Sequence, residues 1–367
     1  MQFSLATVAT LVALANAEPR FKRFFQIIME NTDFEVAMKQ TFMPTLAAQG
    51  RLFTNMHGVT HPSQPNYIAM IAGDTMGVNG DYFVNITASC IADTLEAAGK
   101  TWASYQELYP GSAGNCYTAA EMIDGDLHLY ERKHNPFMSF TSIHETSRCD
   151  NIKNANELDK DIAAGKVADY VLYAPDQIND GHGANYSKAF DYKSPENQAH
   201  RIAVADQWLS TFIPKYINNP FFKDTLFLLT FDESNVDVVP DPNNINHIYT
   251  IAIGAGVEKG SKDDTRYDHY SQLALLNKEW GLKPLGRNDT YAVAFDLGNP
   301  SKPSTPSTSA PCTTTDAPKT KGYGTDAPKP TGYNAATTTA YGSKPIYSSA
   351  MASSFSVLAV AAFVLAL

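Results

Sequence analysis

The 367-residue sequence has few charged side chains and lacks an excess of basic ones. Charged residues make up 18% of the chain, against about 25% in typical globular proteins, and the net charge is −10. Residues 1–17 carry no charge and those beyond residue 297 carry five lysines and two aspartates, so residues 18–297 hold 23 basic and 36 acidic groups. This excludes a nucleic-acid-binding surface, which must be basic. An anionic substrate would need local compensation, most simply by a bound cation.

The sequence also lacks an N-terminal apolar segment long enough to span a membrane. Residues 1–17 form a short apolar run that ends in Ala15-Asn16-Ala17, the small-x-small pattern of signal-peptide cleavage. A buried N-terminal helix is the alternative interpretation. The body of the chain contains three N-glycosylation sequons, which together with the signal predict an extracellular protein. The sequon residues are Asn85, Asn185 and Asn288.

The C-terminal part of the chain has the composition of a stalk followed by an anchor signal. Residues 298–350 are rich in Ser, Thr and Pro and have no apolar periodicity, which predicts an extended, O-glycosylated stalk. Residues 351–367 end in 13 apolar or small residues with no basic residue after them, as in a GPI-anchor signal. Asn334 and Gly342 are both candidate attachment sites. Retention on the plasma membrane and linkage to cell-wall glycan both stay open.

Cysteine is scarce, and no pair has the CxxC spacing. This argues against a cysteine metal site and against a thioredoxin-type motif. Four cysteines in an exported chain are best interpreted as disulfide partners, for which three pairings exist. We favour Cys116 with Cys149, because this pair closes the shorter loop. Cys312 is then either bonded to Cys90 or free.

Residues 18–297 predict a single α/β catalytic domain, because apolar runs alternate with helix-like stretches. The runs are continuously apolar rather than alternating, which favours a central, mostly parallel sheet with helices on both faces. Four runs are expected to be buried strands, and a fifth is weaker. They are residues 24–29, 170–173, 226–231 and 247–253, with 101–105 as the weaker one.

Acidic side chains follow two of these predicted strands directly. Glu30 and Asn31 come after the first, and Asp232 and Glu233 come after the third. Functional sites in open parallel sheets lie beyond the carboxyl ends of the strands, so these groups are expected to lie close together. A divalent cation would relieve their mutual repulsion and take their oxygen atoms as ligands. The alternative is that they cap the helices that follow.

Ser63 precedes an apolar, small-residue stretch at 68–73 that predicts a buried helix starting near Pro65. Free N–H groups at a helix N-terminus favour a phosphate or an alkoxide, which would suit a serine nucleophile. The alternative is that Ser63 is only an N-cap.

Three histidines lie in polar loops rather than on apolar faces: His134, His182 and His269. Beside a carboxylate cluster, such histidines are expected to be metal ligands, leaving-group acids or oxyanion donors. Three further histidines have no comparable context and are interpreted as structural. They are His57, His128 and His144.

Six motifs follow one another between residue 24 and about residue 275: MEN at 29–31, THPSQPNY at 60–67, RKHNPF at 132–137, NDGH at 179–182, TFDES at 230–234 and DHYS at 268–271. Together they resemble the phosphoesterase family of acid phosphatases and phospholipase C-type enzymes. Within it, they most resemble secreted, GPI-anchored fungal acid phosphatases. The resemblance implies an alkaline-phosphatase-like fold with a serine nucleophile and a metal on a central sheet.

The resemblance also implies roles for individual residues. Ser63 matches the nucleophile, while His61 before it is given no role. A full set of Asp and His pairs for two metals is missing, so one divalent ion is expected. The metal-facing positions are Glu30, Asn31, Asp232 and Glu233, with Asn31 also able to donate to a phosphate oxygen. His134, His182 and His269 match histidines that line the phosphate site.

The expected activity is therefore an acid phosphatase that hydrolyses small phosphate monoesters through a phosphoserine. A histidinium would protonate the leaving alcohol, which would suit an acidic optimum. A phospholipase C-type phosphodiesterase is the enzymatic alternative. A GPI-linked structural or adhesive glycoprotein of the cell wall is the non-enzymatic one, although it would have no use for clustered carboxylates and histidines.

Overall fold

The computed structural model describes residues 18–183, 194–235 and 245–301. The chain divides into two units, Met1–Ser307 and Thr308–Leu367, and all described residues lie in the first. The predicted signal peptide, the predicted stalk beyond residue 301 and the predicted anchor tail lie outside the described residues. So do Cys312, Asn185 and both candidate anchor residues.

The strands follow the predicted apolar runs and add several that were not expected. In chain order they are β1 Arg23–Met29, β2 Gly50–His57, β3 Trp102–Gln106, β4 Glu121–Asp124, β5 Leu127–Glu131, β6 Ile152–Asn154, β7 Tyr170–Ala174, β8 Thr225–Phe231, β9 His247–Gly254, β10 Ser261–Asp263 and β11 Tyr267–Asp268. Among the described residues, β4 and β5 form a separate two-stranded sheet and the others form a nine-stranded one. The order of the large sheet is β10-β2-β9-β8-β1-β7-β3-β6, and β11 also pairs with β2.

The large sheet is mostly parallel, as predicted. Strand β9 is the exception in the described chain, because it runs antiparallel to both β8 and β2. Its continuous apolar pattern reports burial on two faces, which is compatible with either direction. Strand β2 was not predicted, since polar residues interrupt its apolar ones. All five predicted runs are confirmed as strands.

Helices cover both faces of the sheet. Gln26 of β1 donates through Nε2 to Gln272 Oε1 at 2.7 Å, on a helix of one face. The ring of the adjacent Phe25 lies 6.4 Å from that of Tyr216, on a helix of the other face. Successive strand residues point to opposite faces, so the predicted three-layer arrangement is confirmed. Every residue of β7 and β8 is buried, which places the core around the sheet centre.

The helices are short except for one. The α-helices are α1 Phe34–Ala37, α2 Ser63–Ala72, α3 Ile91–Ala97, α4 Thr141–His144, α5 Leu158–Ala163, α6 Pro195–Ile217 and α7 Ser271–Trp280. Turns of 3₁₀-helix are Met43–Ala48, Arg132–His134, Pro136–Ser139, Ser147–Asn151, Ala155–Glu157, Pro220–Phe222 and Asn288–Thr290. In the part of the chain that is described, none of the helices has the length and hydropathy to cross a membrane.

One disulfide lies in the described region. Cys116 is bonded to Cys149, which confirms the predicted pairing. Cys90 is a buried thiol at the N-cap of α3.

Candidate active site

The ends of β1 and β8 bring the predicted carboxylates together. The two strands are parallel neighbours with Met29 opposite Phe231, so the next residues, Glu30 and Asp232, leave the sheet side by side. The Asp232 N–H donates to Met29 O at 3.0 Å, and the Asn31 N–H donates to Asp232 Oδ1 at 3.0 Å. Asn31 has a φ of 46°, a left-handed conformation that asparagine tolerates. Glu30 and Asp232 are fully buried.

Ser63 lies between two of these carboxylates. It is the first residue of α2, which begins two residues earlier than predicted, and it is buried. Its Oγ lies 3.0 Å from Glu30 Oε2 and 3.0 Å from Glu233 Oε1. A hydroxyl has one proton, so it donates to one carboxylate at a time. Either carboxylate is therefore placed to take the proton of a serine nucleophile.

The N-terminus of α2 offers fewer amides to an anion than the sequence suggested. The Gln64 N–H donates to Asp81 Oδ1 at 3.0 Å, and Pro65 has no N–H. The second and third positions of the helix are thus unavailable to a phosphate. Positive charge near Ser63 must come largely from a side chain.

Lys133 supplies that charge. Its Nζ lies 2.9 Å from Asp81 Oδ2, and it lines the same cleft as Ser63. Burial lowers the pKa of Lys133, but the carboxylates of Asp81 and Glu30 outweigh burial and raise it above its ordinary value. Lys133 therefore stays charged in the cleft that Ser63 also lines. The sequence interpretation singled out the neighbouring His134 and missed this lysine, although both belong to RKHNPF.

The carboxylate cluster carries more negative charge than its surroundings compensate. Burial, then the neighbouring Asp232 and Asp180, raises the pKa of Glu30 well above its ordinary value. Burial, then Glu233, raises the pKa of Asp232 to about 8. Among the described residues, one carboxylate oxygen of each of Glu30, Asp232 and Asp180 is buried and accepts no hydrogen bond. Buried acceptors without donors are what a divalent cation stabilises, so the residues fit a metal ion.

Asp180 was missed by the sequence interpretation although it belongs to the NDGH motif. Its backbone carbonyl accepts the Glu30 N–H at 2.9 Å, and its Oδ1 accepts the His182 N–H at 2.7 Å. Gly181 makes this approach to the strand end feasible: its φ is 104°, and a Cβ there would lie 2.9 Å from Glu30 O. The motif thus anchors its turn directly against the carboxylate cluster.

His134 is buried against the cluster. Its Nε2 lies 3.0 Å from Glu30 Oε1, and its ring stacks on Tyr67 with centroids 5.0 Å apart. Burial, followed by the charge of Lys133, lowers the pKa of His134 well below its ordinary value. A neutral imidazole is therefore expected here.

His269 is also buried, and His182 is half-buried. His182 lines the cleft, with its ring 6.2 Å from that of His134, and burial lowers its pKa to about 3. His269 donates from Nε2 to the backbone carbonyl of Asp232 at 2.5 Å, and burial lowers its pKa to about 4. Burial disfavours the charged form of both side chains, so neutral imidazoles are expected here as well.

His61, which the sequence interpretation set aside, lies at the site. Its Nδ1 contacts Glu233 Oε2, while Oε1 of the same carboxylate accepts from Ser63. Glu233 therefore connects the two side chains. The sequence did contain a signal for His61, because it lies two residues before Ser63 in the same THPSQPNY motif.

The cluster opens into a polar cleft of 320 Å³, a size suited to a small ligand. Four of the eight predicted site residues line it, and His134, Glu30, Asp232 and His269 lie beneath or beside it. The lining residues are Asn31, His61, Pro62, Ser63, Asp81, Lys133, His182, Glu233, Ser234 and Asn235.

A second group of potential metal ligands lies on the β4–β5 hairpin. Glu121, His128 and Glu131 bring three ligand atoms within 4.8 Å of one another. Among the described residues, this is the group of His, Cys, Asp and Glu side chains that meets this distance. The strand-end carboxylates are further apart and would have to draw together around an ion. Partly exposed acidic groups such as the hairpin set commonly occur without metal.

Comparison with known proteins supports the sequence resemblance. The model of the Phosphoesterase family matches residues 34–283. An acid phosphatase of Aspergillus fumigatus is 36% identical over 307 residues, covering 81% of this chain and 63% of the relative. An acid phosphatase of Aspergillus niger is 36% identical over 301 residues, covering 79% of this chain and 66% of the relative. The chain thus spans less than two thirds of the length of these curated relatives.

A solved structure supports the fold. A protein in the alkaline phosphatase superfamily from Vibrio parahaemolyticus matches with a TM-score of 0.51 and 15% identity. The match covers 75% of this chain and 71% of that protein. The predicted alkaline-phosphatase-like architecture is confirmed at the level of the fold.

Proposed function

The chain belongs to the Phosphoesterase family, and on that premise we propose that it is an acid phosphatase that hydrolyses small phosphate monoesters, with Ser63 as the nucleophile. The observation that carries the proposal is the position of the Ser63 hydroxyl, 3.0 Å from each of two buried carboxylates and beside a charged lysine. The acid phosphatases among its relatives support the same activity.

In the first step the Ser63 Oγ forms a bond to phosphorus while its proton passes to Glu233 or Glu30. The bond from phosphorus to the alcohol oxygen breaks, and the alcohol leaves with the electron pair and gains a proton. His61 lines the cleft and shares Glu233 with Ser63, so it is the histidine placed to exchange a proton with the departing oxygen. In the second step a water oxygen forms a bond to phosphorus while the bond from phosphorus to Ser63 Oγ breaks. The water gives up a proton to His61, Ser63 recovers its proton from the carboxylate that took it, and phosphate is released.

The residues around Ser63 compensate the charge of the phosphate. Lys133 provides a permanent cation in the cleft, and Asn31 provides an amide beside it. A single divalent ion would be held by Glu30, Asn31, Asp232 and Glu233. When bound, it would act as a Lewis acid that lowers the pKa of the serine hydroxyl and offsets negative charge on the phosphate oxygens. His134 and His269 act as neutral imidazoles. His134 lies against the Glu30 carboxylate and His269 donates to the Asp232 backbone carbonyl, so they position these two residues.

We also propose that the protein is secreted. The Cys116–Cys149 disulfide is compatible with an oxidising compartment. Asn85 and Asn288, the two sequons within the described ranges, are both exposed. GPI anchoring at Asn334 or Gly342, with either membrane retention or transfer to cell-wall glycan, is proposed from the C-terminal sequence pattern alone.

The central test is the Ser63→Ala variant. We expect kcat/KM for p-nitrophenyl phosphate to fall by at least about 1,000-fold, because the variant lacks the hydroxyl that forms the proposed phosphoenzyme. Ser210→Ala, on the surface of α6, is the matched control and should retain full activity. Rapid quenching with radiolabelled substrate should trap phosphate on the wild-type chain only. Near-normal turnover by Ser63→Ala would refute the proposal.

The choice between monoester and diester is tested on the wild-type protein. We expect p-nitrophenyl phosphate to be hydrolysed in preference to p-nitrophenyl phosphorylcholine. The opposite preference would favour the phospholipase C-type activity. Absence of turnover on both, in a preparation that binds no metal, would favour the structural or adhesive glycoprotein.

Metal dependence is tested by chelation. Prolonged dialysis against a chelator should lower both bound metal and turnover, and adding back single divalent ions should restore them. Asp232→Asn should reduce the metal content measured by atomic emission. Glu121→Gln in the hairpin group is the control, and it should leave the activity-linked metal in place. Unchanged metal content in Asp232→Asn would contradict the assignment of these ligands.

A further inference from the structure

A second cleft adjoins the one that contains Ser63. It has a volume of 220 Å³, and Asp81 and Lys133 line both clefts. Gln64, the residue after Ser63, also lines the second cleft. A ligand whose phosphate lies at Ser63 can therefore extend past the Lys133–Asp81 pair into this space.

The wall of the second cleft is aromatic. Tyr82 and Phe83 both line it, although they are 47% and 59% exposed. The guanidinium of Arg132 lies 4.0 Å from the Phe83 ring centroid, a cation–π contact that supports the ring from one side. Adjacent exposed aromatic rings in a cleft are uncommon in a soluble protein unless they contact a ligand.

Helix α2, which begins at Ser63, holds this aromatic wall in place. The Gln64 N–H donates to Asp81 Oδ1 at 3.0 Å, and Gln64 Oε1 accepts the Tyr82 N–H at 2.9 Å. Lys133 Nζ completes the arrangement with its 2.9 Å contact to Asp81 Oδ2. The segment that carries both rings thus has a defined position relative to Ser63, as a substrate-binding surface requires.

We propose that the second cleft binds the leaving group of the phosphate ester and selects alcohols that carry an aromatic ring. The inference rests on the proposed function, since it assumes that the phosphate is bound at Ser63. An aromatic leaving group would pack against Tyr82 and Phe83 and bury apolar surface that a short alkyl alcohol cannot bury.

The test compares 3-phenylpropyl phosphate with n-propyl phosphate. Both are primary alkyl esters, so the reactivity of the scissile bond is matched and only the phenyl ring differs. We expect the wild-type protein to favour the phenyl ester in kcat/KM by about tenfold, mainly through KM. Phe83→Ala should remove most of this preference, because it lowers kcat/KM for the phenyl ester more than for n-propyl phosphate. Phe83→Trp should retain the preference.

Tyr291→Ala is the control, because Tyr291 is an 85% exposed aromatic residue that is absent from the described lining of both clefts. It should change neither substrate. Equal loss on both esters in Phe83→Ala would overturn the inference, since it would indicate a damaged catalytic site. If the wild type hydrolyses n-propyl phosphate but shows no preference for the phenyl ester, the inference is also overturned. The same holds if Phe83→Ala keeps the preference. Failure of the wild type to hydrolyse either ester would instead refute the proposed function, and this inference with it.

Discussion

Lys133 illustrates how single residues at the site depend on partners distant in the sequence. Its charge is maintained by Asp81 and Glu30, which come from two other segments of the chain. The body of the protein is acidic, so an approaching phosphate would be repelled unless a cation lies where it binds. Lys133, which is paired with Asp81, contributes part of that compensation, and a divalent metal would add to it.

We predict that Lys133→Met lowers kcat/KM for p-nitrophenyl phosphate by about 100-fold, the typical effect of removing one group that stabilises transition-state charge. Lys133→Arg should retain part of the activity, because it keeps the charge. Lys153→Met removes another ion-paired lysine, bonded to Asp161 at 2.6 Å, and should have little effect. Steady-state kinetics on the three variants test this. A loss confined to KM would contradict a role in the transition state.

Element packing depends on a few buried polar contacts as well as on apolar area. Asp206 of α6 is buried and accepts three consecutive backbone N–H groups, at 3.1, 2.8 and 2.8 Å. They belong to Thr41, Phe42 and Met43, which lead into β2 through a 3₁₀ turn. One carboxylate therefore fixes the segment before an unpredicted strand to the longest helix described.

We predict that Asp206→Ala lowers the free energy of unfolding by about 2–4 kcal/mol, because it leaves three N–H groups without an acceptor. Asp206→Asn should have a smaller effect, since its amide oxygen still accepts. Asp159→Ala, at an exposed ion pair, is the control and should change stability by less than about 0.5 kcal/mol. Urea unfolding followed by circular dichroism measures all three. A change in Asp206→Ala as small as in the control would show that the contact is not needed.

The molecule as a whole buries carboxyl groups outside the site as well. Burial, then Glu107, raises the pKa of Asp176 from 3.8 to about 7. The side chains that face Asp176 are the carboxylate of Glu107, with the Tyr173 hydroxyl that donates to it, and the carboxyl of Asp180. None of these is a cation that would favour the ionised form. The backbone N–H groups of residues 178 and 179 donate to Asp176 Oδ1 and favour its ionised form, but burial and Glu107 outweigh them. Folding therefore favours the protonated carboxyl, which suits an acidic environment.

We predict that the contribution of Asp176 to stability falls as pH rises from about 5 to 7. The pKa of Asp176 is about 7 in the folded state against 3.8 for its ordinary value, so folding favours a bound proton at this residue in this window. Its share of the free energy of unfolding should then decrease by up to about 1.4 kcal/mol per pH unit. The buried histidines, whose pKa is lowered by folding, contribute the opposite slope, so the quantity to measure is the difference between the wild type and Asp176→Asn. Urea unfolding at fixed metal concentration should show this difference changing with pH in the stated direction, whereas the difference for Asp159→Asn should not. An Asp176→Asn difference that is constant from pH 5 to 7 would contradict the prediction.

Local sequence patterns were sufficient for much of the fold. Continuous apolar runs identified the five central strands, since burial on both faces requires apolar residues at successive positions. The carboxylates after two of those runs were predicted to meet, and the pairing of β1 with β8 places Glu30 beside Asp232. The loop-length argument identified the Cys116–Cys149 pair, and serial motifs identified the family.

Tertiary structure alone decided the direction of β9, the place of β2 and the surroundings of Ser63. An apolar run records that a strand is buried, but neither its direction nor its neighbours. His61, Lys133 and Asp180 could not be assigned because their roles depend on which segments fold against Ser63 and Glu30. The protonation of His134 likewise depends on burial and on the neighbouring Lys133. The sequence by itself therefore determined the family, the central strands and the meeting of the strand-end carboxylates. The electrostatics around Ser63 and the adjoining aromatic cleft arise from contacts between distant segments.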